Sequence, residues 1–222
     1  MKVYKLPVEI KALVFDMDLT LYTHEEYGRI QVDNLVAIMA DIIGISFDEG
    51  SQRIKAARQA WEISHNGKKA SLSDIVLSWG FTMEDNVRWR EKAYEPEKFL
   101  NKDETLRKTL MELSGFTLGV VTNNPVLIAD RTLKALGVDD LFSIVVGLDT
   151  CMAPKPHKKP FQKFIELSSC TPENCVSIGD RFDIDLDQPL EMGMGAIQVD
   201  GVEDVYELPG ILLKTGVTQN TG

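Results

Sequence analysis

The 222-residue chain has no apolar run approaching the roughly 20 residues that span a bilayer. Its first residues, Met1-Lys2-Val3-Tyr4-Lys5-Leu6-Pro7, lack the apolar core of a secretory signal. A cytoplasmic protein with no membrane partner is therefore expected. Cysteine is scarce. Cys151, Cys170 and Cys175 make an odd count with no C-x2-C spacing, which argues against a disulfide framework or a zinc site. An excess of positive charge is also missing. Lys and Arg number 24 against 34 Asp and Glu, giving a net charge of -10 and disfavouring nucleic acid or an anionic membrane as partner. An anionic substrate would need local help from a cation or a lysine. No internal repeat or low-complexity segment interrupts the chain.

What remains is enough for a real core, with 44% hydrophobic residues. The length suits one large domain, or one domain carrying an insert. Its densest signal is Asp16-Met17-Asp18-Leu19-Thr20, directly after the apolar run Ala12-Leu13-Val14-Phe15. Two carboxylates at the mouth of a buried strand are costly, because an unpaired buried carboxylate loses several kcal/mol or takes up a proton. A divalent cation beside them would favour the ionised forms.

Four further runs, at 118–121, 144–146, 176–178 and 196–199, are short, rich in β-branched residues and bounded by Gly, Asp or Asn. They read as buried parallel strands. Helical patterns separate them. One covers 125–136 and stops at Gly137; another covers 160–167. The fold class is α/β: a Rossmann-like parallel sheet with helices on both faces. The interval 23–96 differs, with no convincing strand. Ile30, Leu35, Ile38, Met39 and Ile42 mark an amphipathic helix ending near Gly44. Ser71-Leu72-Ser73-Asp74 and Thr82-Met83-Glu84-Asp85 have the form of capping boxes. Trp61, Trp79 and Trp89 all lie here and read as helix-packing residues. An all-helical insert at 23–96, with 1–22 and 97–222 forming the core, is the expected organisation.

Ligands of open α/β sheets bind beyond the carboxyl ends of the strands. Strand one delivers Asp16 and Asp18 there. The second delivers Thr122-Asn123-Asn124, the third Asp149 and the loop to Lys155, and the fourth Gly179-Asp180 with Asp183, Asp185 and Asp187 close behind. Asp16, first out of its strand, suits attack on phosphorus. Asp18, on the same side, suits proton transfer to a leaving alkoxide and from an incoming water. Mg²⁺ prefers oxygen ligands and would be held by Asp16 and Asp180. Thr122, the amides beside it (Asn123 among them) and Lys155 would hold the phosphoryl oxygens.

In order, these blocks resemble the haloacid dehalogenase-like hydrolases, in the phosphatase branch with a helical cap. The matching pieces are Asp16-Met17-Asp18-Leu19-Thr20, Thr122, Lys155 and Gly179-Asp180 with Asp185. The resemblance implies Asp16 as nucleophile, Asp18 as acid and base, and Mg²⁺ on Asp16, the Asp18 backbone carbonyl and Asp180. Asp185 is implied to support the metal indirectly. It further implies a small phosphorylated metabolite as partner, with the enzyme a monomer or homodimer. An acid at position 18 favours hydrolysis of a phosphate monoester. A phosphosugar mutase remains the alternative, and a binding protein that retains the fold a second one. Two departures stand out. The segment Lys155-Pro156-His157-Lys158-Lys159 offers three lysines, of which Lys155 fits the pattern. The segment Arg181-Phe182-Asp183-Ile184-Asp185-Leu186-Asp187-Gln188-Pro189 carries extra acids, of which Asp183 and Asp187 are expected to be solvated.

Overall fold

The computed structural model describes residues 1–213. Six strands form one sheet: β1 Lys2–Lys5, β2 Ala12–Phe15, β3 Thr117–Val121, β4 Ile144–Val146, β5 Cys175–Gly179 and β6 Gly195–Gln198. Their spatial order is β1-β6-β5-β2-β3-β4. All neighbours are parallel except β1, which runs antiparallel to β6. β1 is the strand that sequence reading misses. Lys-Val-Tyr-Lys is short, polar and mostly exposed, as suits an edge strand, and leaves no apolar run to detect.

The alternation of side chains along each strand builds two cores. Leu13 and Phe15 of β2 join Leu118, Val120, Val176 and Ile178 on one face. Ala12 and Val14 join Val121, Ile144 and Cys175 on the other. Helices cover both faces. After β2 come α1 Glu25–Ile43, α2 Phe47–Ser64, α3 Leu72–Ser78, α4 Met83–Ala93 and α5 Glu104–Glu112; after β3 comes α6 Val126–Leu136. After β4 come α7 Leu148–Cys151 and α8 Lys158–Ser168, after β5 α9 Asp187–Glu191, and after β6 α10 Val202–Tyr206 and α11 Leu208–Leu212. α5 and α6 contribute to the first core, whereas α8 lays Phe161 and Phe164 into the second.

α1 to α4 fall within the strandless interval 23–96, before α5 leads back to β3. Gly44 closes α1 in the left-handed conformation, φ 73°. Ser71 and Thr82 start α3 and α4 with complete capping boxes, each worth about 1 kcal/mol. The interval has its own apolar core of Leu35, Met39, Ile54, Ile75, Val76, Trp89 and Tyr94, to which Ile128 of α6 adds from the sheet side. Trp89 packs edge-on against Phe81. Trp61 departs from the packing role and stacks on the exposed His65 ring, centroids 3.9 Å apart. Asp183 and Asp187 depart from the solvated reading too. Lys68 Nζ reaches Asp187 at 2.6 Å and Lys69 N–H donates to Asp183, so the insert is tied to the loop after β5.

Candidate active site

β2 lies between β5 and β3, and Phe15 is paired with Ile178 on one side and Val120 on the other. The residues that follow each strand, Asp16, Thr122 and Asp180, therefore come to one edge of the sheet. The Asp16 N–H extends the ladder by donating to the Ile178 carbonyl at 2.8 Å. Asp16 is buried, and Lys155, only 1% exposed, sits against it. Lys155 Nζ lies 2.5 Å from Asp16 Oδ1 and 2.7 Å from Asp185 Oδ1. Lys158 and Lys159 are exposed at the start of α8, and His157 caps that helix, with Nδ1 accepting from the Lys159 N–H.

Asp185 is more central than the sequence suggests. Its carboxylate joins those of Asp16 and Asp180, each offering an oxygen within 4.8 Å of the others. The segment Phe182–Leu186 turns as a π-helix, a form frequent at functional sites. That turn returns Asp185 to the sheet, where its Oδ2 accepts from Arg181 N–H and its carbonyl from Ser177 Oγ. Gly179 makes the approach possible, since a Cβ there would lie 2.4 Å from the Asp185 Cβ. On the far side, Tyr4 of β1 donates to Gln198 Oε1, and Gln198 Nε2 donates to the Asp180 carbonyl at 2.9 Å.

Asp16 Oδ2, Asp180 Oδ1 and Asp185 Oδ1 are buried without a hydrogen bond, the last touching the Lys155 ammonium. Burial, and then the Asp185 charge, push the Asp16 carboxyl up to about 8 against the pull of Lys155. Burial and then Asp185 push Asp180 up to about 6. For Lys155 burial works downward, but Asp16 and Asp185 outweigh it and the net direction is upward. Three converging carboxylates, two of them with an oxygen lacking any hydrogen bond, fit a hard divalent cation, and such an ion would reverse the upward pressure on Asp16 and Asp180.

Asp18 stands outside this group. Its carboxylate accepts from the Tyr22 hydroxyl, from Asn124 Nδ2 at 2.8 Å and from Gln31 Nε2 at 3.4 Å. Burial and the Asp18 charge hold the Tyr22 phenol well above its usual pKa, so it serves as a donor. Between the two acids and Thr20 the chain turns at Leu19, φ 59°, a left-handed conformation costing a branched residue about 1 kcal/mol. The Asn124 amide is itself held. Its Oδ1 accepts from Arg90 Nη1 at 2.7 Å; Arg90 Nε donates to Asn86 Oδ1, and Asn86 Nδ2 to Ser73 Oγ. A fully buried polar chain thus runs from α3 and α4 to the Asp18 carboxylate.

Thr122 is buried, and its Oγ1 accepts from the Asn124 N–H at 3.1 Å. The Asn123 side chain differs from the expected phosphate contact, because both its ends engage the Lys155 backbone: Oδ1 accepts from the N–H and Nδ2 donates to the carbonyl. It fixes the lysine's loop, leaving its backbone N–H for other partners. Asp149 caps α6, its Oδ1 accepting from Val126 N–H. Sequence reasoning brings Asn124 to this edge without giving it a role; Tyr22, Gln31 and Arg90 are the members it misses, and they carry no local signal.

A doubly wound sheet with a converging acid cluster at its switch point, overhung by an inserted helical layer, defines the class of α/β hydrolases built around a strand-end carboxylate. The match to the haloacid dehalogenase-like hydrolase family model spans residues 10–187, and the chain belongs to that family. Among curated proteins it is similar to a glyceraldehyde 3-phosphate phosphatase of Methanocaldococcus jannaschii, 27% identical over 206 residues and covering 86% of this chain and 85% of the relative. A phosphoglycolate phosphatase of Colwellia psychrerythraea is 36% identical over 70 residues, which is 32% of this chain and 31% of that protein. Among solved structures, a HAD phosphatase from Thermococcus onnurineus aligns with a TM-score of 0.60 at 25% identity, covering 91% of this chain and 98% of the other.

Proposed function

We propose that the chain is a Mg²⁺-dependent phosphatase of small phosphate monoesters that works through an aspartyl-phosphate on Asp16. One observation carries this reading: the two acids of the first strand end have opposite surroundings. Asp16 is locked against a buried lysine among orphaned carboxylate oxygens, while Asp18 sits in a nest of neutral donors. The first arrangement suits a nucleophile that a cation at the orphaned oxygens would keep ionised, and the second a carboxyl that exchanges a proton.

Asp16 attacks phosphorus, and as its O–P bond forms the bond to the alcohol oxygen breaks. Asp18 gives a proton to that oxygen. In the second step Asp18 takes a proton from the water that attacks phosphorus, releasing Asp16 and inorganic phosphate. Thr122, the Asn123 backbone N–H and Lys155 hold the phosphoryl oxygens. Bound by Asp16, the Asp18 carbonyl, Asp180 and Asp185, Mg²⁺ would offset charge between nucleophile and phosphoryl group. Residues 23–96 act as a cap over the core of 1–22 and 97–213 and help exclude water; the last part of the expected core, 214–222, lies outside the described residues. Because the two relatives are named for glyceraldehyde 3-phosphate and phosphoglycolate, small three-carbon and two-carbon phosphates are the first substrates to try. Hydrolysis of p-nitrophenyl phosphate and of a panel of phosphorylated metabolites tests the reading. Turnover is expected with Mg²⁺ and none with EDTA; failure to turn over any ester would overturn it.

A further inference from the structure

The chain has eight arginines, and the structure divides them in half. Arg53, Arg88, Arg107 and Arg131 form surface ion pairs with Glu49, Asp85, Asp140 and Glu97. The other four, Arg29, Arg58, Arg90 and Arg181, all line one cavity of about 410 Å³ between the helical insert and the acid edge of the sheet. In a protein of net charge -10 this concentration of cations around one cleft is a local reversal of sign.

The four are not equivalent. Arg90 is tied through Asn124 to Asp18 and belongs to the positioning chain described above. Arg29 and Arg58 have no hydrogen bond or ion pair with any described residue. Arg181 has as its nearest carboxylate Asp180, at 3.7 Å. Arg58 and Arg181 also share the wall of a second, adjoining cavity with Lys69 and one acid, Glu62. Burial, and then the neighbouring Arg181 charge, lower the Arg58 guanidinium below its ordinary value. Two like charges from opposite sides of a cleft repel until an anion enters between them. Of the acids lining the cleft, Asp18 and Asp180 belong to the reacting group, and Glu25 alone stands outside it. A further donor is at hand in Tyr94, which lines the same cleft and whose buried hydroxyl has no partner.

Thr122 and Lys155, the seats of the reacting phosphoryl group, are on the core, whereas Arg58 is on α2 of the insert. We propose that the substrate carries a second anionic group, a carboxylate or a second phosphate, on the alcohol side of its ester, held between Arg58 and Arg181. This rests on the phosphatase reading and narrows it. A guanidinium offers a planar fork of donors that matches either group, and its charge-assisted bonds are about twice as strong as neutral ones. A neutral sugar or glycerol end would leave Arg58 unmatched and Arg181 with Asp180 alone at 3.7 Å.

The test compares esters of one skeleton. For the wild-type enzyme with Mg²⁺, kcat/KM is expected to be at least about tenfold higher for 3-phosphoglycerate than for glycerol 3-phosphate, or for fructose 1,6-bisphosphate than for fructose 6-phosphate. Whichever pair shows the preference assigns the carboxylate or the phosphate. In Arg58→Ala that ratio is expected to fall toward one and in Arg58→Lys to be partly kept; being a ratio, it is independent of the folded fraction. Calorimetric titration of phosphonoacetate against ethylphosphonate gives a readout without turnover, with tighter binding expected for the former in wild type and not in Arg58→Ala. Ratios near one in wild type, with p-nitrophenyl phosphate still hydrolysed, would sink the clamp and leave the phosphatase reading standing. Inactivity toward every ester, p-nitrophenyl phosphate included, would sink that reading and the clamp with it.

Discussion

The floor of the site and its roof treat charge in contrasting ways. On the floor, Asp16, Asp185 and Lys155 are nearly sealed from solvent and answer one another at bonding distance. On the roof, Arg29 and Arg58 project from helices and form no ion pair with any described residue. On the proposed reading the floor is finished before any substrate arrives, whereas the roof is completed by what it binds, so that chemistry and selectivity are housed in different layers.

The sharpest way to break this contrast is at Asp16. Asp16→Asn is expected to lower phosphatase kcat by at least about 10³-fold while circular dichroism stays native; retained turnover would remove Asp16 as nucleophile. Next comes the buried lysine. Lys155→Ala leaves Asp16 and Asp185 without their cation, so a loss of roughly 3 kcal/mol in urea unfolding of the metal-free protein is expected along with a loss of activity of about 10²-fold or more. Lys158→Ala, on an exposed face, should change neither, and the reverse order would mean the wrong lysine was chosen.

The acids give a pH signature. Asp16 and Asp180 have folded pKa values near 8 and 6, above the ordinary carboxyl value of 3.8. A carboxyl raised on folding holds its proton more tightly in the folded state. The unfolded chain thus binds fewer protons between about pH 4 and 8, and these two groups lower stability as pH rises through that window. The Tm of the EDTA-treated protein should fall from pH 5 to 8, and the gain on adding Mg²⁺ should be larger at pH 8. An Mg²⁺ gain that shrinks with pH would contradict the metal assignment.

A smaller effect is expected at the joint between the layers. Asn124→Ala cuts the link from Arg90 to Asp18, so a fall in kcat of about 10-fold with KM little moved should follow, accompanied by a shifted pH-rate profile. An unchanged profile would make Asn124 a packing residue. The smallest is at Lys68→Ala, which removes a surface pair with Asp187 and should cost no more than about 0.5 kcal/mol in thermal unfolding.

The same contrast explains what could be read from sequence. Asp16, Thr122 and Asp180 were legible because a short apolar run fixes where a strand ends, and the residue after it faces the ligand edge. Gly44, Ser71 and Thr82 were legible because caps act over three or four residues. Arg90 and Gln31 were not, because a helix residue's direction depends on how the whole insert packs. β1 was hidden by its polarity, although Tyr4 reaches Gln198 and through it the Asp180 loop. Asp185 was underrated because a π-turn adds one residue per turn, and nothing in its spacing announces that return.

The missing side chain at Gly179 carries a last consequence. Any larger residue there would evict Asp185 from its place beside Lys155. Drift at the sheet edge is therefore sterically forbidden, while Arg29 and Arg58 could be exchanged without disturbing a strand. Descendants of this sequence would acquire new appetites by rewriting the overhanging helices and inherit their reactivity unchanged.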